Sequence, residues 1–347
     1  MSTFIEEIDA QPDAIIETAD AIQGQIDSLR PLLDRLRTGQ LRRIIFTGMG
    51  GSISGVYPSL LRLTAKGLDA RVVEASELLY YQGRLLNAET LLVITSQSGR
   101  SVEIPAVLDM AQKAETPVLG ITNTAGSILH QNSQVALLTK AGEEGTVSTK
   151  TYTCTLTALH LLTTAILNED ISATAADILS VAEAIRSQLD SWRDQITALG
   201  NAWADTRFVE FLARGASFAS AATSALIFKE SVKLPTEAMN AGQFRHGPLE
   251  LVDQRFTGII FMGGAATREL NAALARDIAQ YGGRLALVST VDMALPGTHP
   301  IPLPEMHPAL LPLVEIVPVQ LFCADMAVRQ GYQAGQFRYI TKVTAHE

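Results

Sequence analysis

Short apolar runs recur along this 347-residue chain, separated by stretches with helical periodicity. Arg43-Ile44-Ile45-Phe46, Ala70-Arg71-Val72-Val73, Leu91 to Thr95 and Pro117-Val118-Leu119-Gly120-Ile121 make a first series. A second begins at Arg207-Phe208-Val209-Glu210-Phe211-Leu212 and continues at Thr257-Gly258-Ile259-Ile260-Phe261-Met262 and Arg284-Leu285-Ala286-Leu287-Val288. Strands that alternate with helices in this way pair in parallel and are covered on both faces, which predicts an α/β fold of three layers, helix, sheet and helix. Each series opens with a strand, a glycine-bearing turn and a small-residue helix: Gly48-Met49-Gly50-Gly51-Ser52-Ile53-Ser54 in the first, Ala213-Arg214-Gly215-Ala216-Ser217-Phe218-Ala219 in the second. The likeness predicts a duplication. Residues 1–40 read as N-terminal helices, 41–195 as a first domain and 200–347 as a second. The polar amphipathic pattern of residues 168–205 places the boundary near 190–203.

The chemistry concentrates after the third strand, where Ile94-Thr95-Ser96-Gln97-Ser98-Gly99-Arg100-Ser101 runs from apolar strand into helical pattern. At a helix N-terminus the first backbone N–H groups lack partners and the peptide dipoles sum to a partial positive charge, so an anion is held there without lysine. Ser96, Ser98 and Ser101 add hydroxyl donors, Gln97 an amide, and Gly99 permits close backbone approach. A plain N-cap by Ser98, on a helix starting at Arg100, accounts for one hydroxyl of the three. The matching place in the second series reads Met262-Gly263-Gly264-Ala265-Ala266-Thr267, so one phosphate site per chain is expected.

A net charge of -9 argues against nucleic acid as a partner and leaves an anionic ligand to local dipoles. The two cysteines, Cys154 and Cys323, lie in apolar helical patterns without metal-ligand spacing, which predicts buried reduced thiols, no metal and a cytoplasmic location. No run approaches the ~18 apolar residues of a membrane span, and Met1-Ser2-Thr3-Phe4-Ile5-Glu6-Glu7 lacks the order of a signal peptide, so no membrane role is expected. Gly48-Met49-Gly50-Gly51 invites a dinucleotide reading, but the third glycine of that fingerprint falls at Ile53. No cofactor is expected. A sugar-binding loop at Gly51 and Ser52, beside the serine turn, is the preferred reading.

Two further stretches complete the pattern: Glu144-Gly145-Thr146-Val147-Ser148-Thr149-Lys150-Thr151-Tyr152-Thr153 and Glu237-Ala238-Met239-Asn240-Ala241-Gly242-Gln243-Phe244-Arg245-His246-Gly247-Pro248-Leu249. With these, the chain resembles the sugar isomerase (SIS) family over residues 40 to 347, as two tandem SIS domains of flavodoxin-like architecture, similar to the isomerase half of glucosamine-6-phosphate synthase. With no glutaminase part expected ahead of it, the resemblance points to the SIS-type glucosamine-6-phosphate deaminases and related phosphosugar isomerases or deglycases. It implies that Ser96, Gln97, Ser98 and Ser101 bind the sugar phosphate, with Ser52, Thr146, Val147 and Ser148 at the sugar. It implies Glu230 as the enolisation base, His246 as the ring-opening histidine reaching across a homodimer interface, and Lys342 as the lysine that closes over the substrate. Thr223 and Ile227, where the synthase has glutamate and lysine, and the tail Gly335-Gln336-Phe337-Arg338 depart from the family pattern, which implies a shifted substrate or reaction.

The side chains suit that chemistry. Turning a 2-amino-2-deoxy-aldose phosphate into a ketose phosphate requires opening the ring, moving a proton from C2 to C1 and hydrolysing the C2 imine. Burial against Ala225-Leu226-Ile227-Phe228 would raise the basicity of Glu230, with Lys229 pulling the other way. Histidine is the side chain whose unperturbed pKa lies near neutrality, so His246 can shuttle the ring-opening proton, whereas His130, His160, His299, His307 and His346 have no comparable surroundings. Lys342 either forms an imine with the open-chain carbonyl or places a charge beside a developing oxyanion. The expected activity is conversion of glucosamine-6-phosphate to fructose-6-phosphate and ammonia. An aldose-ketose isomerase, a fructosamine-6-phosphate deglycase and a non-catalytic sugar-phosphate sensor stand as alternatives.

Overall fold

The structure, a computed structural model, describes residues 3–293 and 295–342, and the chain divides into two compact units. An N-proximal unit comprises Ala10–Glu144, Lys150–Ala182 and the tail from Tyr339; a C-proximal unit comprises the chain up to Asp9, Gly145–Thr149 and Glu183–Arg338. The helix Ile171–Ala202 runs unbroken through the residues where the sequence places its boundary.

Each unit is built on one five-stranded, all-parallel sheet. In the N-proximal unit the strands are β1 (Arg43–Gly48), β2 (Asp69–Val72), β3 (Thr90–Thr95), β4 (Val118–Thr122) and β5 (Val135–Leu138), in the order β2-β1-β3-β4-β5. The C-proximal unit has β6 (Val209–Ala213), β7 (Thr236–Asn240), β8 (Thr257–Phe261), β9 (Arg284–Ser289) and β10 (Thr298–Pro302), in the order β10-β9-β8-β6-β7. Counted from its own first strand, each sheet therefore reads 2-1-3-4-5. In sheets of this order the chain winds one way from the first strand and the other way from the third, opening a crevice at their carboxyl ends where ligands bind.

The central strands are the ones legible as apolar runs, because helices cover both of their faces: every residue of β3, β6 and β8 is buried. The strands that sequence patterning passes over, β5, β7 and β10, are all sheet edges. β7 reads Thr-Glu-Ala-Met-Asn and β10 carries two prolines, tolerable at an edge where one side of the ladder is vacant. Beneath the N-proximal sheet, Ile45, Leu92 and Ile94 pack with Leu78, Ile104 and Val107; the C-proximal counterpart joins Leu212, Ile260 and Leu285 to Phe244, Leu274 and Ile278. Each such side chain contributes about 1.5–3 kcal/mol on leaving water.

The helix Leu311–Arg329 corrects one expectation. Pro308–Arg329, with a mean hydropathy of 1.7 in its most apolar window, is long and apolar enough by length and composition to cross a membrane, yet 89% of that window is buried inside the protein. A helix apolar on all sides is what a protein interior also demands. Both cysteines are free and buried as expected; burial pushes the Cys154 thiol up to about 12 and also raises that of Cys323.

Candidate functional site

In the N-proximal unit the sequence-predicted binding residues gather at the crevice between β1 and β3. Gly51 and Ser52 lie on the short helix Gly50–Ser54 that follows β1, and Ser96, Gln97, Ser98 and Ser101 on the turn that follows β3. The two turns are tied together: the hydroxyl of Thr95, the last residue of β3, donates to the carbonyl of Thr47 at 3.2 Å and to that of Ser52 at 3.1 Å.

The polarity of the serine turn follows from where its carbonyls go. The Gln97 carbonyl accepts from the Asn123 amide at 3.0 Å and from the hydroxyls of Thr122 and Thr124 at 3.2 and 3.3 Å, and the Gly99 carbonyl accepts from the Leu129 amide at 3.1 Å. With the negative ends tied back toward β4, the amides of Ser98, Ser101 and Val102 donate to no backbone carbonyl among the described residues. The Ser96 hydroxyl accepts from the Gly99 amide at 3.1 Å and the Ser98 hydroxyl from the Arg100 amide at 3.2 Å, which leaves each O–H as a donor for an incoming oxygen. Ser98 thus closes its own turn rather than capping the next helix. That helix begins at Glu103 instead of the expected Arg100. Gly99 has φ +60°, and a Cβ there would lie 2.3 Å from the Ser127 hydroxyl, so no other residue fits the turn.

Lys342 also belongs to this unit, its ammonium paired with Glu144. The Glu144 carboxylate, fully buried, also accepts from the amide of Thr151 at 2.9 Å and from its hydroxyl at 2.6 Å. Sequence reasoning singled out Lys342 and missed Glu144, whose partners lie 7 and 198 residues away.

In the C-proximal unit Thr146, Val147 and Ser148 are held by a residue that sequence reading assigned no role. Glu7, wholly buried on the helix Phe4–Asp9, accepts from the Gly145 amide at 2.7 Å, from the Thr146 hydroxyl and from the Thr149 hydroxyl at 3.3 Å. The Val147 amide then donates to the Gly335 carbonyl at 3.0 Å, and the Gly335 amide to the Ser231 hydroxyl at 2.8 Å. Gly335 has φ +77°, and a Cβ there would stand 2.7 Å from that of Thr146. The loop 145–149 and the turn bearing Glu230 are thereby fastened to one point of the chain. Ser148 is half-buried.

Glu230 lies in a π-helical turn, Phe228–Val232, that continues the helix Phe218–Ile227. Such turns insert one residue into the helical ladder and re-aim side chains, and they concentrate at functional sites. Glu230 is half-buried; Ala225, Ile227 and Phe228 before it are buried, and Lys229 is exposed. A cation that senses Glu230 is Lys233, in left-handed conformation at φ 62°, whose ammonium donates to the carbonyl of Glu230 and to that of Gln336 at 2.7 Å. Desolvation and the charge of Arg338 lower the Lys233 pKa, while the charge of Glu230 raises it. Thr223 and Ile227, two of the positions where the resemblance implies a departure, are fully buried on the helix leading to Glu230.

His246 follows the short helix Ala241–Phe244 in an exposed turn, and its imidazole makes no hydrogen bond or ring contact among the described residues. No hydrogen bond or ion pair among the described residues joins it to Glu230. The other described histidines have structural work: His130 accepts from the Gly126 amide, a ring nitrogen of His160 lies at hydrogen-bond distance from the Arg62 guanidinium, His299 meets the Trp203 ring edge-on and His307 caps the turn Pro308–Leu310. His346 lies outside the described residues. Among the described residues no group of three or more histidine, cysteine or carboxylate side chains is placed to hold a metal ion.

Residues 40–165 match the family model of the SIS domain. The SIS match takes in β1 to β5 and both turns at their crevice; the second sheet lies beyond it. Glutamine–fructose-6-phosphate aminotransferase (isomerizing) of Pyrococcus horikoshii is 30% identical over 98% of the chain, and the enzyme of the same name from Leifsonia xyli is 30% identical over 98%. The chain spans 57% and 58% of the length of those two proteins. Among solved structures, the C-terminal domain of glucosamine-fructose-6-phosphate aminotransferase from Francisella tularensis has the same fold, with a TM-score of 0.84 at 24% identity over 96% of this chain and 97% of that one. Tagatose-6-phosphate ketose/aldose isomerase from Escherichia coli gives a TM-score of 0.82 at 22% identity over 99% of this chain and 97% of that one.

Proposed function

We propose that the chain is a tandem SIS enzyme, its second sheet a diverged copy of its first, that converts glucosamine-6-phosphate to fructose-6-phosphate and ammonia. The identical 2-1-3-4-5 order of the two sheets supports the duplication. The observation that carries the functional reading is the serine turn at the β1/β3 crevice, with the Gln97 and Gly99 carbonyls tied back, the Ser98, Ser101 and Val102 amides donating to no backbone carbonyl among the described residues, and two hydroxyls still able to donate. That arrangement suits a phosphate ester, and the neighbouring Ser52 turn suits its sugar. In this reading His246 opens the ring, Glu230 takes the C2 proton and returns it at C1, and water hydrolyses the resulting C2 imine. Lys342 serves the developing oxyanion. The enzymes similar over nearly the whole chain are named for fructose-6-phosphate, which supports a product of that class.

The test is a panel of phosphorylated amino sugars, aldoses and fructosamine conjugates, with ammonia and fructose-6-phosphate read separately. Glucosamine-6-phosphate should give both in equal amounts. Conversion of a phosphorylated aldose to its ketose, with no ammonia from any amino sugar, would replace the deaminase with an isomerase; binding without turnover of any member would replace it with a sensor.

A further inference from the structure

The geometry points to Asn271 and Asp277, both on the helix Ala265–Gln280, as positioning residues for His246 that act through Arg214 and Arg245. This rests on the reading of His246 as the group that opens the sugar ring. His246 is exposed, and no described residue is hydrogen-bonded to its imidazole, so the backbone turn that carries it decides where it can reach. That turn is short and bonded to itself: the Arg245 amide donates to the Gly242 carbonyl at 3.3 Å and the His246 amide to that of Gln243 at 2.9 Å. The helix Ala265–Gln280 fastens it at three places. Phe244 is buried in the same apolar cluster as Leu274 and Ile278 of that helix, and the Arg245 guanidinium pairs with Asp277 at 2.7 Å.

The third tie runs through Arg214, the residue after β6. Asn271, fully buried, donates from Nδ2 to the carbonyls of Phe261 and Met262 at 3.2 Å each, and its Oδ1 accepts from Arg214 Nε at 3.0 Å. The guanidinium so aimed lies against the turn: a Cβ on Gly242 would stand 2.7 Å from Arg214 Nη1 and 3.4 Å from its Cζ, so only glycine leaves it room. Desolvation first and the Arg245 charge second lower the Arg214 pKa. Two like charges that sense each other tend to part, and Asp277 offsets one of them. The Arg245 and Asp277 side chains are 33% and 35% exposed, and pairs so exposed add little to stability. Their consequence is placement: a displacement of about 1 Å can cost on the order of 100-fold in rate, and an imidazole with no bonds of its own has nothing else to hold it.

Ring opening is read by itself as the exchange between the α and β anomers of glucosamine-6-phosphate, which passes through the open chain. The exchange is followed by NMR with the full chain carrying Glu230→Gln, so that the sugar goes no further. In that background His246→Ala should lose about 100-fold in anomer exchange. Gly242→Ala, whose new methyl displaces the end of the Arg214 side chain, and Asp277→Asn should each lose about 10-fold, with melting temperature and affinity for the sugar phosphate unchanged. Asp277→Glu, which keeps a carboxylate for Arg245, should recover most of that loss. Added to His246→Ala, neither Gly242→Ala nor Asp277→Asn should change the residual rate, which separates placement of the histidine from a general loosening of the fold. Undiminished exchange in either variant, losses that follow the melting temperature, further losses in the absence of His246, or an Asp277→Glu variant as slow as Asp277→Asn would overturn the inference. No exchange above the uncatalysed rate in the Glu230→Gln protein, or full exchange in His246→Ala, would instead remove His246 from ring opening, and so overturn the reading beneath it.

Discussion

Single residues set the geometry of the proposed phosphate turn, and Gly99 is the sharpest test of it. Its φ of +60° lies where a side chain is strained, and its would-be Cβ meets Ser127 at both Oγ, 2.3 Å, and Cβ, 2.8 Å. Gly99→Ala should therefore push the turn off Ser127, at a cost of about 1–3 kcal/mol. Because the same movement displaces the Ser98 and Ser101 amides, KM for a phosphorylated substrate should rise while KM for its unphosphorylated analogue stays unchanged. Equal effects on both would show that the turn does not carry the phosphate. Much of this turn was readable in the sequence, since three hydroxyls, an amide and a glycine between an apolar strand and a helical pattern are local signals. Glu7 and Glu144 were not readable. Each is an ordinary glutamate in its own neighbourhood, and its meaning comes from Thr146, Thr151 or Lys342 brought to it by the fold.

At the scale of elements, the helix Leu311–Arg329 and strand β6 each bury a carboxyl group that the proposed chemistry does not use. Glu315 accepts from the Ser217 hydroxyl at 2.7 Å and the Ser220 hydroxyl at 3.0 Å, but burial outweighs both and lifts its pKa from 4.5 to about 7. Glu210, in register with Glu237 on β7, rises to about 8, through burial first and the Glu237 charge second. An acid whose pKa is higher in the folded than in the unfolded state binds its proton more tightly when folded. Its contribution is fully present below the unfolded value and is lost as pH climbs through the folded one. The protein should thus lose stability between about pH 4.5 and 8, and Glu315→Gln should remove the part of that loss completed by about pH 7, on the order of 3 kcal/mol at most. Thermal unfolding across pH 5 to 9 measures this; a variant with the same pH slope as the parent would contradict it. Asp69, Asp205 and Asp253 have pKa values lowered by arginine neighbours, so their opposite effect falls below pH 3.8 and outside this window. The π-turn at Phe228–Val232 shows the limit of element-level reading. Its sequence continues a helical pattern, and the extra residue follows from ties made by Ser231 and Lys233 to residues 335 and 336, about a hundred positions along.

For the molecule as a whole, the order of apolar strands announced two parallel α/β sheets, and each sheet's central strands lie where the pattern put them. Of the four edge strands only β2 was noticed; β5, β7 and β10 escaped because an edge strand has only one neighbour and need not be apolar on both faces. The central claim joins two chemistries carried by different parts of the chain: a serine turn that grips a phosphate ester, and a glutamate in a π-turn that takes a proton from the carbon next to the carbonyl. Both are read together by following exchange of the C2 proton of glucosamine-6-phosphate in deuterated water, with the wild type and with Glu230→Gln. The account predicts that the wild type exchanges the C2 proton of the phosphorylated sugar and leaves glucosamine itself untouched. It predicts that Glu230→Gln exchanges at least about 100-fold more slowly while still binding the phosphorylated sugar. Undiminished exchange by Glu230→Gln, or equal exchange of the two sugars by the wild type, would contradict it.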